Sequence, residues 1–140
     1  MNLTENFTLE ELTHTDHRQY DNTPNDAELE NLKRLAEFLE DVKKALGGKP
    51  VMVNSAFRSK QVNDAVGSKD TSQHRKAEAV DFTCPAYGSP ANVVKKLVAN
   101  KDLIRFDQLI LEHTWVHISW NSNPGGTQKG ERSEEHTSEL

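Results

Sequence analysis

The chain is expected to fold as one α+β domain, a small antiparallel sheet with helices packed on it. Three observations carry that expectation. Leu29, Leu32, Leu35, Ala36, Leu39, Val42 and Leu46 recur at three- and four-residue steps, the period of a long amphipathic helix. Four short apolar runs, each about five residues, sit between turn-forming residues and read as strands. The last two runs are adjacent and suggest a hairpin rather than a crossover, which favours antiparallel pairing.

Taken in order, Thr8-Leu9-Glu10-Glu11 matches a capping box, so a short helix starts after Thr8. His14 to Pro24 is polar and aperiodic, and reads as loop. The long helix is capped at its start by Asn25 or Asp26 and ended by Gly47, with Glu30, Lys33, Glu37, Glu40 and Lys44 off the apolar stripe. Val51–Ser55 is the first strand, and a short helix from Lys60 to Val66 closes at Gly67. Ala79–Thr83 is the second strand. Ser89-Pro90 supplies an N-cap and first-turn proline for a helix carrying Val93, Val94, Leu97 and Val98. Gln108–Glu112 and Trp115–Ser119 form the hairpin around His113-Thr114, after which periodicity is lost.

At 140 residues the chain suits one domain, assigned here to residues 1–131. Hydrophobic residues at 34% and charged residues at 28% fit a soluble globular protein, expected to be a monomer. A net charge of -5 argues against a nucleic-acid partner, and no run is apolar enough for a membrane. The polar opening Met1–Asn6 lacks signal-peptide character, so synthesis in the cytoplasm is expected, with release by other means before any action outside. Residues 132–140, RSEEHTSEL, look like the in-frame translation of a sequencing adapter (AGATCGGAAGAGCACACGTCTGAACTC). They are set aside as non-native, His136 with them, and the native C-terminus is expected to be missing.

One cysteine, Cys84, excludes an internal disulfide and a cysteine-based metal cluster. Any metal site must be built from histidines and carboxylates. Asp81 falls inside an otherwise apolar strand, where a carboxylate is costly unless something pairs with it, and His74 stands seven residues before it in a polar loop. Taken alone, the two would also suit a turn cap and a surface histidine. His117 lies on a strand whose alternation puts Val116 and Ile118 on the core face and Trp115, His117 and Ser119 on a cleft face. His74, Asp81 and His117 with a fourth position open to water is a catalytic zinc pattern, one ion per chain. Cys84 is the less favoured fourth ligand, because free cysteine is usually a small buried hydrophobe.

In a tight hairpin Glu112 pairs with Trp115 and Ile110 with His117. Glu112 and His117 then share a face as diagonal neighbours, roughly 7–8 Å apart at the backbone. Glu112 is therefore the first candidate for general base, with His113 second, although a solvated hairpin-tip carboxylate would look the same. Arg58, just past the first strand, is placed to clamp a substrate carboxylate or stabilise an oxyanion; it would also pass as a surface arginine. His14, His17, Lys60 and the loop Gly67–Thr71 are further candidates for the cleft border.

At these residues the sequence resembles the zinc D-alanyl-D-alanine carboxypeptidase family, which includes D,D-dipeptidases and phage endolysins cutting the L-alanyl-D-glutamate bond. Ser72, His74, Asp81, Trp115 and His117 match its Ser-x-His, Asp and Trp-x-His pattern. Asn6–Leu9, Asp21–Pro24 and Asn54–Ser59 are similar to its phage-type branch. The resemblance implies a hedgehog-like α+β fold, one zinc ion, and hydrolysis of peptidoglycan stem peptides by a phage or prophage lysin released through a holin. It also implies catalytic roles for Glu112 and Arg58, with Arg58, Ser72 and Trp115 binding substrate. The alternative is a zinc-bearing virion or tail domain that binds peptidoglycan without cutting it. Two departures stand out. Ala77 replaces the usual family glycine, which strains the His74 loop if that position needs positive φ. Thr114 stands where several members carry their catalytic acid, leaving Glu112, five residues before His117, in what looks like the phage-type arrangement.

Overall fold

A computed structural model describes residues 1–122 and 128–134. Helix α1 (Leu9–Leu12) starts from the expected capping box, in which Thr8 Oγ1 accepts from the Glu11 N–H at 3.1 Å and Glu11 accepts from the Thr8 N–H. Helix α2 (Asp26–Ala45) has a second box, with Asn25 as N-cap and Glu28 reaching back, and ends as Gly47 takes φ +71°. Strand β1 (Met52–Ser55) leads to α3 (Lys60–Ala65), capped by Ser59 and followed by Gly67 at φ +74°. Strand β2 (Ala79–Thr83), helix α4 (Pro90–Ala99) with its Ser89 cap, β3 (Gln108–Leu111) and β4 (Val116–Ser119) fall where the apolar patterning puts them.

Two elements have no sequence signal. Helix α5 (Lys101–Ile104) is a single turn whose N-cap, Asn100, makes no capping hydrogen bond with its side chain, which donates back to the Lys96 carbonyl, and it ends in the left-handed Arg105. Strand β5 (Glu131–Glu134) pairs in parallel with β3 at the sheet edge, so the sheet is mixed rather than wholly antiparallel. Edge pairing uses backbone groups that any residue supplies, so residues 132–134, set aside on sequence grounds, can take part. The rest of that tail, His136 included, lies outside the described residues. Among the described residues, no helix is long and apolar enough to cross a membrane.

The strand order is β1-β2-β4-β3-β5, with the first four antiparallel to their neighbours. Val80, Phe82, Leu109, Val116 and Ile118 point to one face and join Leu32, Leu35, Leu39, Leu97 and Phe106 in one core. Helix α4 packs on β3 and β4, α1 on β1, and α2 against α4 and α5. The opposite face carries Asp81, His117 and Ile110. On β1 the register slips between Val53 and Ser55, leaving Asn54 as an extra residue and setting Ser55 opposite Asp81. Beyond it Ala56 and Phe57 are buried in the core, and the Arg58 N–H donates to the His74 carbonyl.

Candidate metal centre

Strands β2 and β4 fix two of the three sequence-predicted ligands directly, because Asp81 and His117 are paired across the ladder. His74 arrives from a turn-rich loop over the same face. One potential ligand atom from each of His74, Asp81 and His117 lies within 4.8 Å of the others. Asp81 Oδ2 is 3.2 Å from His74 Nε2, and Asp81 Oδ1 is 2.8 Å from His117 Nδ1. With metal–ligand bonds near 2.0–2.1 Å, a tetrahedral zinc sets its ligand atoms about 3.3 Å apart, so this cluster is a possible site for such an ion.

The hydrogen bonds sharpen this. His74 Nδ1 is 2.7 Å from the Ala56 carbonyl, which can only accept, so Nδ1 carries the proton. In neutral His74 the Nε2 lone pair then faces the Asp81 carboxylate, two acceptors in contact. Only a proton or a cation between them makes that contact favourable. The Ala56 carbonyl thus fixes the tautomer and leaves Nε2 as the nitrogen that could ligate a metal. The two imidazoles meet edge to face, ring centres 5.3 Å apart. Burial pushes the Asp81 carboxyl up, but hydrogen bonds from His117 and His74, with their charge, win and hold it well below the usual carboxylate range.

The His74 loop is fastened on several sides. Its carbonyl accepts from the Arg58 N–H at 3.0 Å, and Ser72 Oγ accepts from the His74 N–H at 3.3 Å. Gln73 donates to the buried Asp107 at 3.1 Å, and Arg75 pairs with Glu28 of the α2 capping box. Ala77 closes the loop at φ +60° with its side chain fully buried. The position does require the left-handed region, so alanine here carries strain of about 1–2 kcal/mol that glycine would not.

The hairpin register is the expected one: Ile110 pairs with His117, and the Glu112 N–H donates to the Trp115 carbonyl at 3.0 Å. Glu112 and Trp115 are half-buried beside that face, while His113 and Thr114 are exposed at the tip. Ser119 departs from the cleft expected of it. It is fully buried, and its Oγ accepts from the Gln108 N–H while its carbonyl accepts from the Asp107 N–H. Backbone groups at the start of β3 close over that end of the strand. Cys84 is buried in the apolar core, as expected of a small hydrophobe.

Arg58 is half-buried, and its guanidinium makes no hydrogen bond or ion pair among the described residues. Burial lowers its pKa while the nearby Asp81 charge opposes that shift. It lines a pocket of about 180 Å3 with His14 and His17. Lys60 and Asp70 border a different depression of about 630 Å3, with Glu28 and Arg75, so the expected cleft border divides in two. Asn22, important for this arrangement, carries no chemistry of its own and no sequence signal beyond its resemblance motif. Its Nδ2 donates to the Thr13 and Phe57 carbonyls, and its Oδ1 accepts from the Ser59 N–H.

The model of the peptidase M15 family matches residues 5–119, a span that includes every residue of this site. Comparison with curated proteins returns no match.

Proposed function

Because the chain belongs to the peptidase M15 family of metallopeptidases, we propose that it is a zinc-dependent hydrolase of peptidoglycan stem peptides. The bond cut is that of a D-alanyl-D-alanine carboxypeptidase or an L-alanyl-D-glutamate endopeptidase, and the biological setting is phage or prophage lysis of the cell wall. The observation that carries the metal assignment is the convergence of His74, Asp81 and His117, one ligand atom of each within 4.8 Å of the others, with His74 Nε2 turned to Asp81 Oδ2.

His74, Asp81 and His117 would hold the ion, with a fourth position left for water or substrate. A zinc ion there supplies a Lewis acid that polarises the scissile carbonyl and acidifies an attacking water. Glu112, on the ligand face one pair beyond Ile110 and His117, takes a proton from that water. It delivers the proton to the leaving amine as the C–N bond breaks. Arg58 offers unclaimed N–H donors to the oxygen on which charge develops. Ser72 accepts from the His74 N–H through its oxygen and keeps its hydroxyl hydrogen for substrate; Trp115 adds a half-buried indole beside the ligands.

Glu112→Gln tests the assignment. An enzyme working in this way keeps its zinc stoichiometry and loses turnover by about 100-fold or more. Undiminished turnover would remove Glu112 from the mechanism. A non-catalytic wall-binding domain would give no turnover in either form, with unchanged wall affinity. Ala77 does not favour that second reading, since it adopts the positive φ the loop needs.

A further inference from the structure

Two carboxylates outside the ligand triad are buried, Glu78 at 8% exposure and Asp107 at 6%. Burying a carboxylate is costly unless donors meet it, so each marks a junction that the fold has built around it. Both junctions tie the His74 loop to the chain beyond residue 119, where the family match ends. Ahead of the ligand, Gln73 Nε2 donates to Asp107 Oδ2 at 3.1 Å, and the Lys129 N–H donates to Oδ1 at 3.3 Å. Behind it, Glu78 Oε2 accepts from the Ser122 N–H at 2.9 Å and from the Ser122 hydroxyl. The Glu78 carbonyl accepts from the Trp120 N–H, also at 2.9 Å. Between these points the loop closes on itself, because the Gln73 carbonyl accepts from the Glu78 N–H at 2.9 Å. The outer limbs are tied as well. The Asn121 N–H donates to Gln128 Oε1 at 2.9 Å, and Gln128 Nε2 donates to the Asn121 carbonyl at 2.8 Å.

We propose that Glu78 and Asp107 are positioning residues for the metal centre, latching the His74 loop to residues 120–122 and 128–131. Zinc affinity then depends on this outer segment, although its described residues supply no ligand. The inference rests on the metal reading of His74, Asp81 and His117 and goes beyond it. Asp81 and His117 are set by paired strands, whereas His74 comes from a loop that also holds Ala77 at φ +60°. His74 is thus the ligand whose place depends on tethers. The Ala56 carbonyl aims its ring, and the two carboxylates hold the backbone on either side of it. A site whose loop is competent for only part of the time binds its ion more weakly by that fraction. Linkage makes the effect reciprocal: whatever factor the latch adds to zinc affinity, bound zinc adds to the latch.

The test uses the full chain and zinc alone, with a chromophoric chelator as competitor, and reads affinity rather than turnover. Asp107→Asn keeps one acceptor but turns an NH2 group towards the second donor, and should weaken zinc about tenfold or more. Glu78→Ala should do the same. Glu78→Gln keeps an oxygen for both Ser122 donors and should stay within about threefold of wild type. The wild type needs no substitution: saturating zinc should slow hydrogen exchange at the Ser122 and Lys129 amides about tenfold. Wild-type zinc affinity in folded Asp107→Asn, or exchange at both amides that zinc leaves unchanged, overturns the latch; a purely structural role would give that result. His117→Ala separates the two readings. Zinc lost in His117→Ala but held normally by Asp107→Asn overturns the latch alone, whereas zinc held normally by His117→Ala removes the metal reading and the latch with it.

Discussion

Replacing Asp81 with asparagine removes one of the three proposed ligand carboxylates and imidazoles while keeping the side chain's shape and an oxygen that can still accept from His117. Losing even an outer partner of a metal ligand costs 10–100-fold in affinity, so loss of an inner carboxylate should cost about 100-fold or more. With free zinc at 100 times the wild-type Kd, binding stabilises the wild type by about 2.7 kcal/mol. At the same concentration a 100-fold weaker variant gains only about 0.4 kcal/mol. For a chain of 140 residues the unfolding entropy is about 0.3 kcal/mol/K, so each kcal/mol moves Tm by about 3–4 °C. Thermal scans should therefore show a zinc-induced rise of about 9 °C in the wild type and about 1 °C in Asp81→Asn. A variant that keeps most of the 9 °C shift would show that Asp81 is not a ligand and that its pairing with the two histidines is purely structural.

Other consequences can be measured alongside. The depressed Asp81 pKa gives metal-free protein stability that is present above the unfolded carboxyl value, about 3.9, and is lost as pH falls towards the lower folded value. The stability gap between metal-free wild type and Asp81→Asn should thus shrink below about pH 4 in denaturant titrations; a gap that widens there would contradict the sign. Ala77→Gly relieves about 1–2 kcal/mol of left-handed strain but loses about 0.8 kcal/mol of methyl burial and about 0.4–1 kcal/mol through the freer unfolded chain. Its stability should stay within about 1 kcal/mol of wild type, whereas Ala77→Val, a bulkier β-branched residue in the same buried position, should lose about 2–4 kcal/mol. Asn22→Asp cannot donate to the Thr13 and Phe57 carbonyls, and should cost about 2–3 kcal/mol by chemical denaturation while raising KM more than it lowers kcat.

Much of the fold is legible in the sequence because its signals are local. Thr8 with Glu11 and Ser89 with Pro90 each announce a helix start within four residues, and both are observed; of Asn25 and Asp26, the two candidate caps of α2, Asn25 is the one that caps. The leucine stripe marks the buried side of α2, although Phe38, off that stripe, is buried too, where it stacks against Trp120 with ring centres 6.5 Å apart. Helix α5 and strand β5 are missed for the converse reason. One is a single turn without a side-chain cap, and the other is a polar edge strand of backbone pairing. The candidate ligands are legible because an aspartate between Val80 and Phe82 needs a partner. What tethers them is not. The Ala56 carbonyl, Asp107 and Asn22 act across 18 to 37 positions of sequence, and nothing at either end of such a bond marks its partner. The Asn54 bulge, four residues before Arg58, is likewise a property of the paired strands rather than of either one.

The most direct test of the proposed activity is mass spectrometry of purified peptidoglycan digested by the zinc-loaded chain, with and without a chelator. New fragments that vanish with the chelator and return with added zinc are the expected result. Loss of one terminal D-alanine would name a carboxypeptidase, and stem peptides beginning at D-glutamate an endopeptidase. Intact peptidoglycan after incubation with folded, zinc-bound protein, or fragments that persist when the metal is removed, would contradict it.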